Sequence, residues 1–553
     1  MPHFLKRVIH SLTRYGPLPL FKEYTGNSEH RSWNTITYDE FRIDMDRLAA
    51  YWIDRLKVTG LQTQDVVGIW ITGNHYKDLV AIYSVVRAGL IPEVYSIGYL
   101  DLGISTIRDL LSTTGGKALL YDRTFANVVH GFDLPTILIP ELDAIPALTT
   151  QLPPLPEVED DDMAMIFHTS GTTSGRPKPV PETHNWLLCQ AEMQASSVWQ
   201  TREHFDGAQD VFNNIGNFGN VGTATCVSYL SGLGQCVVQT SRSDFGRDEF
   251  LDLVRECGMN RMLLYVPWLT NLLDIARTDN ILLEALKGMR QICYTGASLN
   301  PDDEAWIMAA GIPATTLYAS TELGPCLVND FVNPNSLPLM RLVPDIGLTF
   351  VKSANLRPSD MDGRSDAKSR GGELYYLFAP ESSPCCPHKS IRNRPDGHNT
   401  GDLFEEVEPG LYAFRGRDDD WIRTGPHLHF CDTKSIEDMV LIQCANLVKN
   451  CTIVGHYKPT LVLFVEPQND VAVATTAEVF AFKGQLLKKI APSNATLFPH
   501  ERIENPDHVV VVPSGSLDRG GEKSNIRRKT VEERNKSILD QIYESANSGA
   551  QGR

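Results

Sequence analysis

The polarity of the chain changes period between residues 65 and 96. The run "VVGIWI" (66–71) is continuously apolar and of strand length. "YKDLVAIYSVVRAG" (76–89) then places apolar residues at helical spacing and stops near Gly89, and "IPEVYS" (91–96) opens a second apolar run. A short unbroken apolar run suits a strand covered on both faces, whereas a 3.6-residue period suits a helix lying on it. The pattern predicts strand–helix–strand, the unit from which parallel sheets are built. It returns at "RMLLYVPW" (261–268), "LLEALKGM" (282–289), "QICYTGAS" (291–298) and "IPATTLYAS" (312–320). The expected fold class is therefore α/β, with a large N-terminal domain of parallel or mixed sheets flanked by helices.

Past about residue 418 the runs shorten, as in "KSIEDMVLIQCANLV" (434–448), "CTIVGHY" (451–457) and "TLVLFVEP" (460–467). This predicts a small α+β C-terminal domain, with the chain dividing into 1–417 and 418–553. Two stretches break the periodicity, the proline-rich acidic 140–162 and the polar 353–372, and both are expected at the surface. The first 22 residues are amphipathic and free of acids. That pattern fits a transit peptide and also the first helix of the fold, and the helix is the favoured reading. No stretch approaches the roughly 20 apolar residues of a membrane span, so a cytoplasmic location is expected.

Composition narrows the function classes. At 553 residues, 42% hydrophobic and 22% charged, the chain has ordinary globular content. A net charge of -17 disfavours nucleic acid and anionic lipid as partners. It leaves room for a phosphorylated small molecule, because a local glycine loop binds phosphate inside an acidic protein. The eleven cysteines contain no C-x-x-C pair, and the adjacent Cys385 and Cys386 beside His388 are poorly spaced to chelate one metal ion. Free thiols in a reducing compartment are expected.

Three stretches carry candidate chemistry. "HTSGTTSGRPK" (168–178) follows the apolar "MAMIF" and has two glycines and five hydroxyls with no aliphatic side chain. Glycines let backbone N–H groups approach an anion and hydroxyls add donors, so the loop reads as a phosphate cradle. Its spacing fails the Walker pattern, since Arg176 and Pro177 precede Lys178. "LYASTELGP" (317–325) groups Tyr318, a flat face for a base, with Thr321 and Glu322, the latter a hard oxygen ligand for Mg²⁺. "NTGDLFEEVEPGLYAFRGRDDDWI" (399–422) puts Asp402 and Arg417 on two strands joined through "EPG", a carboxylate and a guanidinium suited to hydroxyl or phosphate oxygens. Singly, each stretch also reads as a surface loop, a helix cap or a hairpin.

Together and in this order they resemble the adenylate-forming superfamily of acyl-CoA synthetases, luciferases and nonribosomal peptide synthetase adenylation domains. The phosphate loop T-S-G-[ST]-T-G-x-P-K-G appears as "TSGTTSGRPKP", Y-G-x-T-E as "YASTE", and T-G-D…G-R-x-D-D as "TGDLF…GRDDD". "GASL" (296–299) and "GGELYYL" (371–377) match further motifs, so the likeness runs from about residue 20 to 530. In style it is nearest to fungal reductase-like adenylating proteins.

The resemblance implies ATP-dependent activation of a carboxylic acid to an acyl-adenylate with release of pyrophosphate, followed by acyl transfer to an external thiol, expected to be coenzyme A. Alternatives are a separate acyl or peptidyl carrier protein, an amine acceptor, or a nucleotide-binding pseudoenzyme of the same fold. It assigns phosphate binding to Thr169, Ser170, Gly171, Thr172, Thr173, Ser174, Gly175 and Lys178, and AMP binding to His168, Gly296, Ala297, Ser298, Tyr318, Ala319, Ser320, Asp402 and Arg417. Thr321 and Glu322 are implied at the reacting phosphate, with Glu322 holding Mg²⁺, and Asp419 is implied as the hinge of a mobile C-terminal domain.

The chain departs from the family at several points. Ser174 is an extra residue in the phosphate loop, and Ala319 replaces a glycine. "FNNIGNFGN" (212–220) stands where relatives carry an aromatic or histidine gate. The catalytic lysine, commonly in G-K-Φ-x-R, is placed at Lys523 of "EKSNIRRKTV", with Lys529 the alternative.

Overall fold

The computed structural model describes residues 3–550 apart from 28–29, 58, 148–150, 170–176, 200–207, 215, 243, 330–336, 354–372, 419–420, 426–428, 471–473, 496, 498 and 521–524. The strands Val66–Trp70 and Ile91–Tyr95 are parallel neighbours, joined by the helix Tyr76–Arg87 as their periodicity predicts. Both strands are buried along their whole length, and that is why neither alternates. The helix is buried on almost every side, more deeply than its amphipathic pattern implies. Its one buried acid, Asp78, serves the turn before it: Oδ2 accepts from Gly73 N at 2.7 Å, Asn74 N at 3.1 Å and the Thr72 hydroxyl at 2.8 Å.

These strands belong to a six-stranded sheet that runs Thr136–Leu138, Ala118–Tyr121, Val66–Trp70, Ile91–Tyr95, Met163–Thr169, Lys178–Thr183. All pairs are parallel except the last, an antiparallel hairpin. A second, nine-stranded sheet holds Arg261–Tyr265, Gln291–Thr295 and Ala314–Ser320 as parallel neighbours and continues through an antiparallel hairpin, Ala314–Ser320 with Gly324–Val328, to the edge strand Arg341–Leu342. A four-stranded antiparallel sheet follows, containing the long hairpin Gly397–Glu408 with Leu411–Arg417. One apolar core joins these layers, with Ile69, Tyr83, Phe167, Trp186, Leu317 and Phe404 all in it.

The N-terminal segment is the helix Phe4–Arg14, and Phe4, Leu5, Val8 and Leu12 lie in that same core. Beyond the long hairpin, the sheet Val448–Val454, Val462–Pro467 and Val509–Val511 packs with the helices Thr433–Gln443 and Thr476–Asn494 around a core of its own, including Ile436, Val440, Ile453, Leu463 and Phe482. A large α/β domain with mixed sheets and a small C-terminal domain is the architecture read from the pattern.

Residues 140–162 are mostly exposed and, where described, carry only the short turn Leu142–Ala144 as regular structure before the strand at Met163. Of 353–372, only Ser353 lies within the described residues. All eleven cysteines are free and buried, and among the described residues no group of three or more His, Cys, Asp or Glu is placed to hold a metal ion. No described helix is long and apolar enough to cross a membrane.

Candidate active site

Three hairpins converge on one cleft of about 3510 Å³. The first is Met163–Thr169 with Lys178–Thr183, whose connection is the polar loop. Thr169 lies directly across from Lys178, so these two close the base of the loop, and both line the cleft. Lys178 begins a strand rather than a helix, unlike the lysine of a Walker loop. Ser170, Gly171, Thr172, Thr173, Ser174 and Gly175 lie outside the described residues.

His168, next to the loop, is tied down from behind. Its Nδ1 is 3.2 Å from Val94 O, a group that only accepts, so Nδ1 donates. Nε2 is 3.0 Å from Oε1 of Glu93, which is fully buried and whose other oxygen accepts from the Thr114 hydroxyl. The ring lies over Tyr95 with centroids 4.9 Å apart and planes 25° apart. Both ring nitrogens are engaged by the protein, so His168 offers the cleft its backbone and ring edge. Glu93 was not singled out in the sequence, although an acid inside the apolar run "IPEVY" is a visible signal.

The second hairpin carries the acidic motif. Tyr318, Ala319 and Ser320 end the strand, Thr321 to Leu323 form the turn, and Ser320 pairs with Gly324, whose φ is +68°. The motif is thus a strand turn and not a helix cap. Ser320 Oγ accepts from Leu323 N at 3.1 Å. From below, Trp186 Nε1 donates to Glu322 O at 3.1 Å, and Gln194 Nε2 donates to Leu323 O at 3.0 Å and Pro325 O at 2.6 Å. The turn is held by its carbonyls while the side chains of Thr321 and Glu322 line the cleft.

The third hairpin places Asp402 opposite Arg417, with Arg417 Nη1 3.4 Å from Asp402 Oδ1. Tyr318 links the second and third hairpins by donating its hydroxyl to Asp402. Burial, then the Asp402 charge, raise the Tyr318 hydroxyl well above its ordinary pKa and keep it a donor. Its ring meets Phe404 edge-on at 5.0 Å. Gly296, Ala297 and Ser298 follow the strand Gln291–Thr295 along the same cleft, and Gly296 has φ +90°, a conformation that favours glycine.

Asn217 of the gate-like segment also reaches the cleft, but its amide is spent on the backbone. Nδ2 donates to Thr72 O at 2.6 Å and Oδ1 accepts from Gly219 N at 2.7 Å. Of the two candidate lysines, Lys529 is exposed and lines the cleft, whereas Lys523 lies outside the described residues, as does Asp419. Glu322 supplies one hard carboxylate beside the Thr321 hydroxyl. That set fits Mg²⁺, which typically takes one or two carboxylates and completes its shell with phosphate oxygens and water.

The chain matches the AMP-binding enzyme family over residues 22–377 and the AMP-binding enzyme C-terminal domain over 431–547. It is 31% identical to the AMP-binding domain-containing enzyme iboA of Amanita muscaria, over 91% of this chain and 94% of the relative. It is 25% identical to the adenylate-forming reductase stbB of Stachybotrys bisbyi, over 84% of this chain but 41% of that longer protein. In fold it is similar to the o-succinylbenzoate CoA synthetase of Bacillus subtilis in complex with its acyl-adenylate intermediate, with TM-score 0.73, 15% identity, and 96% of this chain and 98% of the other covered. The same enzyme in complex with ATP and magnesium ion aligns with a TM-score of 0.71 and 15% identity, with 96% of this chain and 99% of the other covered.

Proposed function

The chain belongs to the AMP-binding enzyme family, and on that premise we propose that it activates a carboxylic acid with ATP, forming an acyl-adenylate and pyrophosphate, and passes the acyl group to an external thiol, coenzyme A. The observation that supports this reading is the convergence of the three hairpins on one cleft.

Acid and triphosphate are both anions, so the barrier is repulsion plus charge developing at phosphorus, and donors already in place lower it. The loop 169–178 binds the β- and γ-phosphates and stabilises departing pyrophosphate. Asp402 and Arg417 hold the ribose, while Tyr318 and the Gly296–Ser298 turn flank the adenine. Thr321 lies at the α-phosphate. Mg²⁺ bound through Glu322 would offset phosphate charge. Lys523 bridges carboxylate and α-phosphate, with Lys529 the alternative. The chain divides at 417/418, and Asp419 is the pivot on which residues 418–553 turn to admit the acceptor.

The acceptor is coenzyme A rather than a carrier protein in this reading, although Arg528 of the basic "IRRK" is already paired with Glu437 at 2.8 Å. The displaced lysine motif favours a second reading, a pseudoenzyme that binds nucleotide without turnover.

The test is pyrophosphate release from ATP and Mg²⁺ with a panel of aryl, fatty, keto and amino acids, with and without coenzyme A. Acid-dependent release, an acyl-CoA product, and a loss on the order of 10² to 10³ in Lys523→Ala with ATP binding retained are expected. Release indifferent to coenzyme A points to a carrier or amine acceptor, and an inert panel with ATP still bound supports the pseudoenzyme.

A further inference from the structure

Beneath the Thr321–Glu322 turn lies a segment that the proposed reaction does not use. Gln190–Gln194 is a π-helical turn between the helices His184–Cys189 and Ala195–Val198, with Ala195 N bonded back to Gln190 O. Single π turns inside α-helices occur frequently at functional sites. This one puts Gln190 and Gln194, 5% and 1% exposed, on the lining of the cleft.

Chemistry sets the orientation of the Gln194 amide. Its Nε2 donates to the carbonyls of Leu323 and Pro325, groups that can only accept, so both N–H hydrogens are spent. Oε1 lies on the other side of the amide and has no hydrogen-bond partner among the described residues, and Gln190 Oε1 has none either. Gly324 permits the close packing of these amides on the turn. A Cβ there would fall 2.8 Å from Gln194 Oε1 and 2.9 Å from Gln190 Nε2. Val198, Trp199 and Pro325, neighbours of Gln194 and of the turn along the chain, line the same cleft. A buried acceptor without a donor is costly, and that cost is recovered when a ligand brings the donor.

Resting on the acid-activating reading of the cleft, we propose that Gln190 and Gln194 select the acid. The preferred substrate carries a hydrogen-bond donor, an amine or hydroxyl, on the part that reaches under the Thr321–Glu322 turn, and is not a plain fatty or aryl acid. The two oxygens accept from that donor. An acid with a methyl group in its place leaves them unpaired and is rejected.

The test compares kcat/KM for pyrophosphate release across matched aliphatic and aryl acids that differ only in methyl, hydroxyl or amine, using wild type, Gln194→Leu and Gln190→Leu. Wild type is expected to favour a donor-bearing acid over its methyl counterpart by about 10- to 100-fold. Each substitution should bring that ratio toward one. Gln194→Leu also frees two loop carbonyls and so lowers all rates together, but the ratio cancels this, and Gln190→Leu gives an independent reading. A wild-type ratio near one, or a ratio unmoved by both substitutions, overturns the proposal while leaving acid activation standing. Absence of pyrophosphate release with every acid is a different result and removes both.

Discussion

The Glu182 carboxyl, on the strand Lys178–Thr183, is fully buried, and neither of its oxygens has a partner among the described residues. Burial first, and then the charge of Glu322, raise its pKa well above the ordinary carboxylate value. The folded protein holds this proton at pH values where the unfolded chain has released it. Stability is therefore greatest below about pH 4.5 for this group and falls as pH rises from there toward the raised pKa. Glu182→Met, which keeps an unbranched side chain, should stabilise the protein by roughly 1–3 kcal/mol at pH 8 and reduce the fall in Tm between pH 5 and 8. An unchanged Tm profile would mean that the carboxyl has found a partner. Glu93 and Glu182 are equally visible as acids in apolar strands, yet only packing distinguishes them. Glu93 meets His168 and Thr114, while the Glu182 oxygens have no hydrogen-bond partner among the described residues.

At the scale of elements, the helix Phe4–Arg14 shows how an ambiguous pattern is resolved. Amphipathicity fits a targeting peptide and a core helix alike, because both bury one face. The structure gives this helix a buried face in the main core, and its start is held by neutral histidines. His3 Nδ1 accepts from Leu5 N at 3.3 Å, and His184 Nδ1 accepts from Phe4 N at 3.4 Å. Burial, then the charge of His184, lowers the His3 pKa to about 3, and burial lowers that of His184 to about 4. The unfolded chain protonates these rings below about pH 6.5 while the folded one does not, so stability falls as pH drops from 6.5 toward 4. A nitrogen that gains a proton can no longer accept. Thermal melts across that range should show the loss, and it should shrink in a His3→Asn/His184→Asn variant. Phe4→Ala should cost about 3–5 kcal/mol if the helix is integral to the core, measured by denaturant unfolding. A cost near zero would make the helix an appendage.

At the scale of the whole molecule, the cleft is lined from both sides, by Thr321 and Asp402 of the large domain and by Lys434 and Lys529 of the small one. The proposed reaction has two half-reactions in this one cleft, and we propose that the small domain moves between them with Asp419 as the pivot. Proline fixes φ, so Asp419→Pro should hold one arrangement. Pyrophosphate release should survive while acyl transfer falls, since a displacement of about 1 Å can cost roughly 10²-fold. Measuring the two half-reactions separately decides this, and equal losses in both would remove Asp419 as the pivot.

Local rules act within a few residues, and everything they govern could be read along the chain: the strand–helix–strand unit at 66–95, the change of character near 418, and the three polar stretches whose residue types suit phosphate, metal and sugar. The tertiary structure alone decided what those stretches meet. Folding paired the strands that flank the first motif, put the second on a strand turn, joined Asp402 to Tyr318 across 84 residues, and set Gln194 under a turn 129 residues away. Such contacts depend on which sheet faces which. No period in the sequence encodes that, because a buried glutamine has the same local pattern whether or not a donor reaches it.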